Sequence, residues 1–169
     1  GVPPLLARAM CLSPFDAAIH DAAGLATARS AFALYDEPEA MQTALARHDD
    51  VILAAVADHD GHVFSHAGDG YGISYQSTGE AIAAVEQIQR ALDAEPWPER
   101  AEIRIRVGVH VGLSEERNGD YFGTAVNRTA RLMSAGHGGQ VLVSSVALEE
   151  VPDYDGIDLN YEQFAFADG

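Results

Sequence analysis

From Ile103 to Val111 every second residue is Ile or Val, apart from nothing but the intervening Arg104, Arg106, Gly108 and His110. A period of two over such a length belongs to a strand that rests one face on a core, because a helix would scatter those side chains around its axis. A strand of this kind cannot stand alone, so the rest of the chain must supply further strands and covering helices.

The flanking patterns supply both. Met41, Leu45, Ile52 and Val56 recur at spacings of four and seven between Glu37 and His59, while Arg47, Asp49 and Asp50 lie off that stripe, which predicts an amphipathic helix. Two short strands follow, His62 to Ala67 and Tyr71 to Gln76, joined through Gly68-Asp69-Gly70, where glycine permits a tight reversal. The hairpin thus carries an acid at its tip. Ser77-Thr78-Gly79-Glu80 has capping-box spacing, and Ile82, Val85, Ile88 and Leu92 mark one helical face until Pro96 and Pro98, so a helix is expected over about 79–94. Beyond the alternating strand, a loop holding Glu115, Glu116, Arg117 and Asn118 leads to a helix over about 123–135. Gly136-His137-Gly138-Gly139 breaks it before a strand from Gln140 to Ser144. Residues 5–28 carry small and apolar residues at helical spacing, and Ser13 before Pro14 suits a helix start. The chain therefore divides into an Ala-rich helical N-terminal segment (1–33), a patterned middle (34–150) and an acidic C-terminal tail (151–169).

Composition narrows the chemistry. At 169 residues one domain with one core is expected. A formal charge of -16 repels phosphate backbones and anionic headgroups, which disfavours nucleic-acid and membrane-surface partners. All 10 basic residues are Arg, so Schiff-base chemistry and a lysine general base are excluded. Cys11 is the only cysteine, which excludes an internal disulfide and a multi-cysteine zinc site. No apolar run is long enough to span a bilayer, and the first ten residues lack the features of a secretory signal, so a cytoplasmic location is expected. The chain begins at Gly1 rather than Met, as a fragment or a processed product would. Neither a G-x-x-x-x-G-K phosphate loop nor a G-x-S-x-G nucleophile elbow occurs. The histidines do not form a ligand spacing: His62 and His66 lie two pleats apart, roughly 13 Å along a strand.

Four ordered blocks carry a resemblance. They are V-F-S-H-A-G-D-G at 63–70, R-V-G-V-H-V-G at 106–112, G-D-Y-F-G-T-A-V-N-R-T-A-R-L-M at 119–133 and H-G-G-Q-V-L-V-S at 137–144. Residues 34–150 resemble the catalytic domain of class III adenylyl and guanylyl cyclases. The resemblance implies a ferredoxin-like α/β sandwich with a mostly antiparallel sheet, pairing head to tail as a homodimer with nucleotide sites between the subunits. It implies that Asp69 binds a metal, Mg²⁺ or Mn²⁺, whose hard character suits carboxylate oxygens. It also implies that Asn127 orients the ribose and Arg131 stabilises phosphate charge. Their spacing of four on a helix lets both reach one ligand, and a guanidinium suits phosphate. Asp120 matches the family's base-reading position, where a carboxylate accepts from an adenine amino group, which puts ATP ahead of GTP; Ser65 stands where many members carry Lys, so one purine contact becomes a neutral hydroxyl.

One part of the family pattern is missing. The resemblance calls for a strand ending in a first metal-binding Asp shortly before Leu34, but that stretch reads A-T-A-R-S-A-F-A; Asp16 and Asp21 are the nearest upstream acids. Two readings follow. The chain is a cyclase making cyclic AMP and pyrophosphate from ATP in intracellular signalling, or a catalytically impaired relative that binds nucleotide or dimerises as a signalling module. Residues 5–28, with L-S-P-F-D-A-A-I-H-D-A as the similar part, resemble a capping-region helix of mandelate-racemase-type enolase relatives. No barrel chemistry accompanies that string, and the chain is too short for such a barrel. An Ala-rich helix packing on the sheet or pairing with another chain is the preferred account of the segment.

Overall fold

The alternating run becomes β4 (Arg106–Leu113) in a computed structural model that describes residues 6–13, 38–97, 102–117 and 119–152. Ile103 and Ile105 are buried but precede the ladder, because pairing with the neighbouring strand ends at Arg106. Val107, Val109 and Val111 join the main core, whereas Gly108 and Gly112 meet a helix on the other face, α3 (Thr124–Ala135). The strand expected to be half-buried is therefore covered on both sides. Glycine makes this possible: a Cβ at Gly108 would lie 2.7 Å from the Thr129 carbonyl oxygen and 2.7 Å from the Met133 amide nitrogen. Both are backbone atoms, so Gly108→Ala must push helix from sheet, at a cost of about 1–3 kcal/mol. Urea unfolding is expected to show that loss, and an unshifted midpoint would mean that α3 can retreat freely.

A five-stranded sheet has the order β2-β3-β1-β4-β7, built from β1 (Leu6–Ser13), β2 (His62–Ala67), β3 (Gly70–Tyr75), β4 and β7 (Val141–Val143). Only the β4–β7 pair in it is parallel. This is the mostly antiparallel α/β architecture expected.

β1 corrects the N-terminal expectation. Within the 5–28 stretch of helical spacing, Leu6–Ser13 is a strand at the centre of the sheet that ends where a helix was expected to begin, with Leu12 opposite Tyr71 on one side and Ser13 opposite Arg106 on the other. A central strand need not show polar alternation, so a short apolar run does not distinguish it from helix. The sheet thus draws on residues on both sides of position 33. The helix expected to begin near Ser13 lies, beyond that residue, outside the described residues, as does the tail beyond residue 152.

The main core closes beneath α1 (Pro38–Asp58) and α2 (Thr78–Ala94). Ala44, Ile52, Ala55 and Val56 from α1 and Ala84, Val85, Ile88 and Leu92 from α2 bury against Tyr71, Ile73 and Tyr75. Ser77 caps α2 by accepting a bond from the Glu80 amide at 3.1 Å, as the capping-box spacing predicts. The Glu80 carboxylate instead holds His59 Nδ1 at 2.9 Å. Where a loop was expected, Glu115–Arg117 and Asp120–Phe122 form a small hairpin, β5 and β6. A short helix, α4 (Ser145–Glu149), follows β7, with Ser144 as its cap. No helix among the described residues is long and apolar enough to cross a membrane.

Candidate functional site

Asp69 sits in the β2–β3 turn, which Gly68 enables by adopting a φ of 64°. Its Oδ2 atom is buried without a hydrogen-bond partner. Unpaired buried acceptors are costly, so one held on a tight turn invites a cation or a donor from outside the fold.

Aromatic and imidazole rings surround the base of this turn. His66 stacks on Tyr71, its cross-strand partner, with ring centroids 4.2 Å apart, and the ring of His48 on α1 lies 6.1 Å from Tyr71. His48 is fully buried, with Nδ1 3.0 Å from Asp49 Oδ1. Burial lowers the His48 pKa, against the opposing pull of the Asp49 hydrogen bond and of the Asp49 and Asp69 charges. Burial also raises the Tyr71 phenol, aided by its hydrogen bond to Asp49 and by that residue's charge.

On the opposite face, α3 buries Ala125, Thr129 and Leu132 and leaves Asn127 and Arg131 exposed. Thr129 Oγ1 donates to the Ala125 carbonyl at 2.8 Å, which satisfies the hydroxyl inside the helix. Beneath this helix His110 pairs with Ser144 Oγ at 2.9 Å; burial, and then the Arg128 charge, hold its pKa below the ordinary value. The polar face of β4 is thus buried under α3.

The two residues expected to read the base lie on adjoining strands. Tyr121 on β6 packs edge-on against Phe64 on β2 at 5.2 Å, so the strands that carry Asp120 and Ser65 touch. Asp120 Oδ1 accepts from the Tyr121 amide at 2.8 Å, and Ser65 is exposed just past an irregularity in the β2–β3 register. The helix α1, whose His48 lies beside Tyr71, covers one face of the sheet, and α3, which bears Asn127 and Arg131, covers the other.

The strand beside the hairpin bears on the missing acid. Leu12 pairs with Tyr71, two residues beyond Asp69, so the end of β1 reaches the turn, and its last residues are Cys11, Leu12 and Ser13. None is a carboxylate. Asp16 and Asp21 lie outside the described residues. The orphaned oxygen of Asp69 fits a divalent cation, yet no group of three or more His, Cys, Asp or Glu among the described residues could hold one.

The sequence profile of the adenylate and guanylate cyclase catalytic domain matches residues 19–162. The chain belongs to this family. An uncharacterized protein of Mycobacterium tuberculosis is 36% identical over 110 residues, covering 64% of this chain and 36% of the relative. An adenylate cyclase of Podospora anserina is 27% identical over 164 residues, covering 77% of this chain and 8% of that enzyme. The cyclase-family domain thus spans only about a third of the first relative's length and far less of the second's. Among solved structures, an adenylate cyclase from Trypanosoma brucei in its monomeric state aligns with a TM-score of 0.69 at 20% identity, over 88% of this chain and 78% of that one. The monomeric guanylyl cyclase domain of the RhoGC fusion protein from Blastocladiella emersonii aligns at 0.67 and 14% identity, over 88% of this chain and 86% of that one. At such identities the two structures establish the shared fold.

The stripe read from the sequence, Met41, Leu45, Ile52 and Val56, leaves out His48, which is fully buried. The signal was present: Ala44, His48, Ile52 and Val56 repeat every four residues, and all four are buried.

Proposed function

We propose that this domain cyclises a purine nucleoside triphosphate, with ATP preferred to GTP, releasing cyclic AMP and pyrophosphate in intracellular signalling. The observation that carries the reading is the buried, unpartnered Asp69 Oδ2, on a turn that belongs to a cyclase-family fold. Asp69 would hold Mg²⁺ or Mn²⁺, and such an ion when bound supplies positive charge to the phosphate oxygens. The ribose 3′-hydroxyl attacks the α-phosphorus and loses its proton, and the α–β bridging oxygen leaves with pyrophosphate. Arg131 offers its forked, permanently charged donors to the negative charge that develops, and Asn127 orients the ribose. Asp120 accepts from an adenine amino group, and Ser65 contributes a neutral hydroxyl where a charged partner would discriminate more strongly. Asp69 comes from one subunit of a homodimer, and Asn127 and Arg131 come from the other.

A second reading has its own support. With only Cys11, Leu12 and Ser13 at the end of β1, the described site offers one carboxylate, and divalent affinity depends on the number of charged ligands. In that case the domain binds nucleotide or dimerises without turnover. Incubation with Mn²⁺ and either ATP or GTP separates the two: cyclic AMP formed faster than cyclic GMP supports the cyclase, whereas nucleotide binding with no cyclic product supports the impaired module.

A further inference from the structure

On the side of β4 that faces α3, Gly108, His110 and Gly112 follow one another at alternate positions. The glycines let the helix come close: a Cβ at Gly108 would meet the backbone of Thr129 and Met133, and one at Gly112 would lie 2.8 Å from Ala125 Cβ. His110 is thus the side chain wedged between two places where α3 rests on bare strand. The same Gly112 position is 3.5 Å from His110 Nε2, so the tip of the ring reaches the first turn of α3. Its other nitrogen is held just beyond β7, where Nδ1 lies 2.9 Å from Ser144 Oγ. Ser144 is itself fixed, its amide donating to the Val109 carbonyl at 3.0 Å and its Oγ accepting from the Ala147 amide at 3.4 Å. The hydroxyl proton of Ser144 is then free to bond Nδ1, which leaves a neutral ring with its own proton on Nε2.

The surroundings oppose a second proton. The ring is buried, the positive end of the α3 dipole lies over it, and the Arg128 charge on α3 is felt there. β1 sets Ala9 opposite His110 and Cys11 opposite Gly108, neither of which carries charge in acid. On α4 the carboxylate of Glu149 stands at the end away from Ser144. We infer that His110 is a positioning residue for the nucleotide site: its neutral ring sets the seat of the helix that carries Asn127 and Arg131, and acid unseats that helix by charging the ring. The inference rests on the proposed function for the roles of Asn127 and Arg131. Burial, and then the Arg128 charge, hold the folded ring below its ordinary 6.5, so the contribution of the neutral contact is complete above that pH and is lost as pH falls through the lower, folded value.

Turnover and amide exchange, followed across pH, test this together. With Mn²⁺ and ATP, wild-type kcat is expected to fall at least about tenfold from about pH 7 to about pH 5, with a smaller change in KM. His110→Ala should lower kcat at least about tenfold at neutral pH; His110→Gln should recover most of that loss and, with no ring to charge, lose the acid limb. Ser144→Ala removes the donor to Nδ1 and should move the limb toward neutral pH, which keeps the test open if the His110 variants do not fold. Hydrogen exchange at residues 124–135, relative to α2, should quicken in acid in the wild type and not in His110→Gln. An acid limb unchanged in both His110→Gln and Ser144→Ala, or α3 protection indifferent to pH, overturns the inference and leaves the proposed function standing. Absence of cyclic product at every pH overturns the proposed function alone, because exchange in α3 still reads whether His110 seats the helix.

Discussion

With Asp69 replaced by alanine, cyclic nucleotide formation in Mn²⁺ is expected to fall at least about a hundredfold, equivalent to about 2.7 kcal/mol of lost transition-state stabilisation. Stability should not fall with it. Asp69 Oδ2 makes no hydrogen bond within the fold, and the turn geometry depends on Gly68. Alanine therefore removes a buried acceptor that gains nothing from folding, and the urea midpoint should stay or rise. This opposition separates a functional carboxylate from a turn-forming one. A turn-forming Asp would lose stability and leave the catalytic rate of the folded fraction untouched. Activity retained in a stable Asp69→Ala variant would take Asp69 out of the mechanism.

The parts of this site that could be read in the sequence are those fixed by local chemistry. Gly68-Asp69-Gly70 specifies a turn because glycine tolerates positive φ, and the turn forms as read. Ser77 and Glu80 specify a helix start through one side-chain oxygen and one amide, and that bond is present at 3.1 Å. Asn127 and Arg131 share a face because four residues make about one helical turn, and both are exposed on α3.

What escaped depends on tertiary surroundings. Leu6–Ser13 is Ala-rich enough to read as helix, but its place between β3 and β4 provides two ladders of backbone partners, which outweigh a weak propensity. Glu115–Arg117 and Asp120–Phe122 are too short and polar to signal strands, and their hairpin rests on β2 through Tyr121 packing on Phe64. His48 follows the apolar stripe of α1 and is buried with it, and its bond to Asp49 and its place beside the Tyr71 ring emerge only in the packed fold.

Mixing two inactive variants should restore activity if the site is shared between subunits. Arg131→Ala alone is expected to lower turnover at least about tenfold, because a guanidinium facing developing phosphate charge has no neutral substitute. Helices α1 and α3 cover opposite faces of the sheet, and a two-fold dimer with a shared site would build each from Asp69 of one subunit and Asn127 and Arg131 of the other. Pairing an Asp69→Ala chain with an Arg131→Ala chain then gives one site with both residues intact and one lacking both. Random exchange at equal concentrations makes about half the dimers mixed, each with one working site, so activity should climb to about a quarter of the wild-type level. The average of the separate variants would be about a twentieth at most, since one is nearly inactive and the other reduced at least tenfold. The rise is therefore measurable above background. A site held within one chain predicts no gain, because every chain in the mixture would still carry its own lesion.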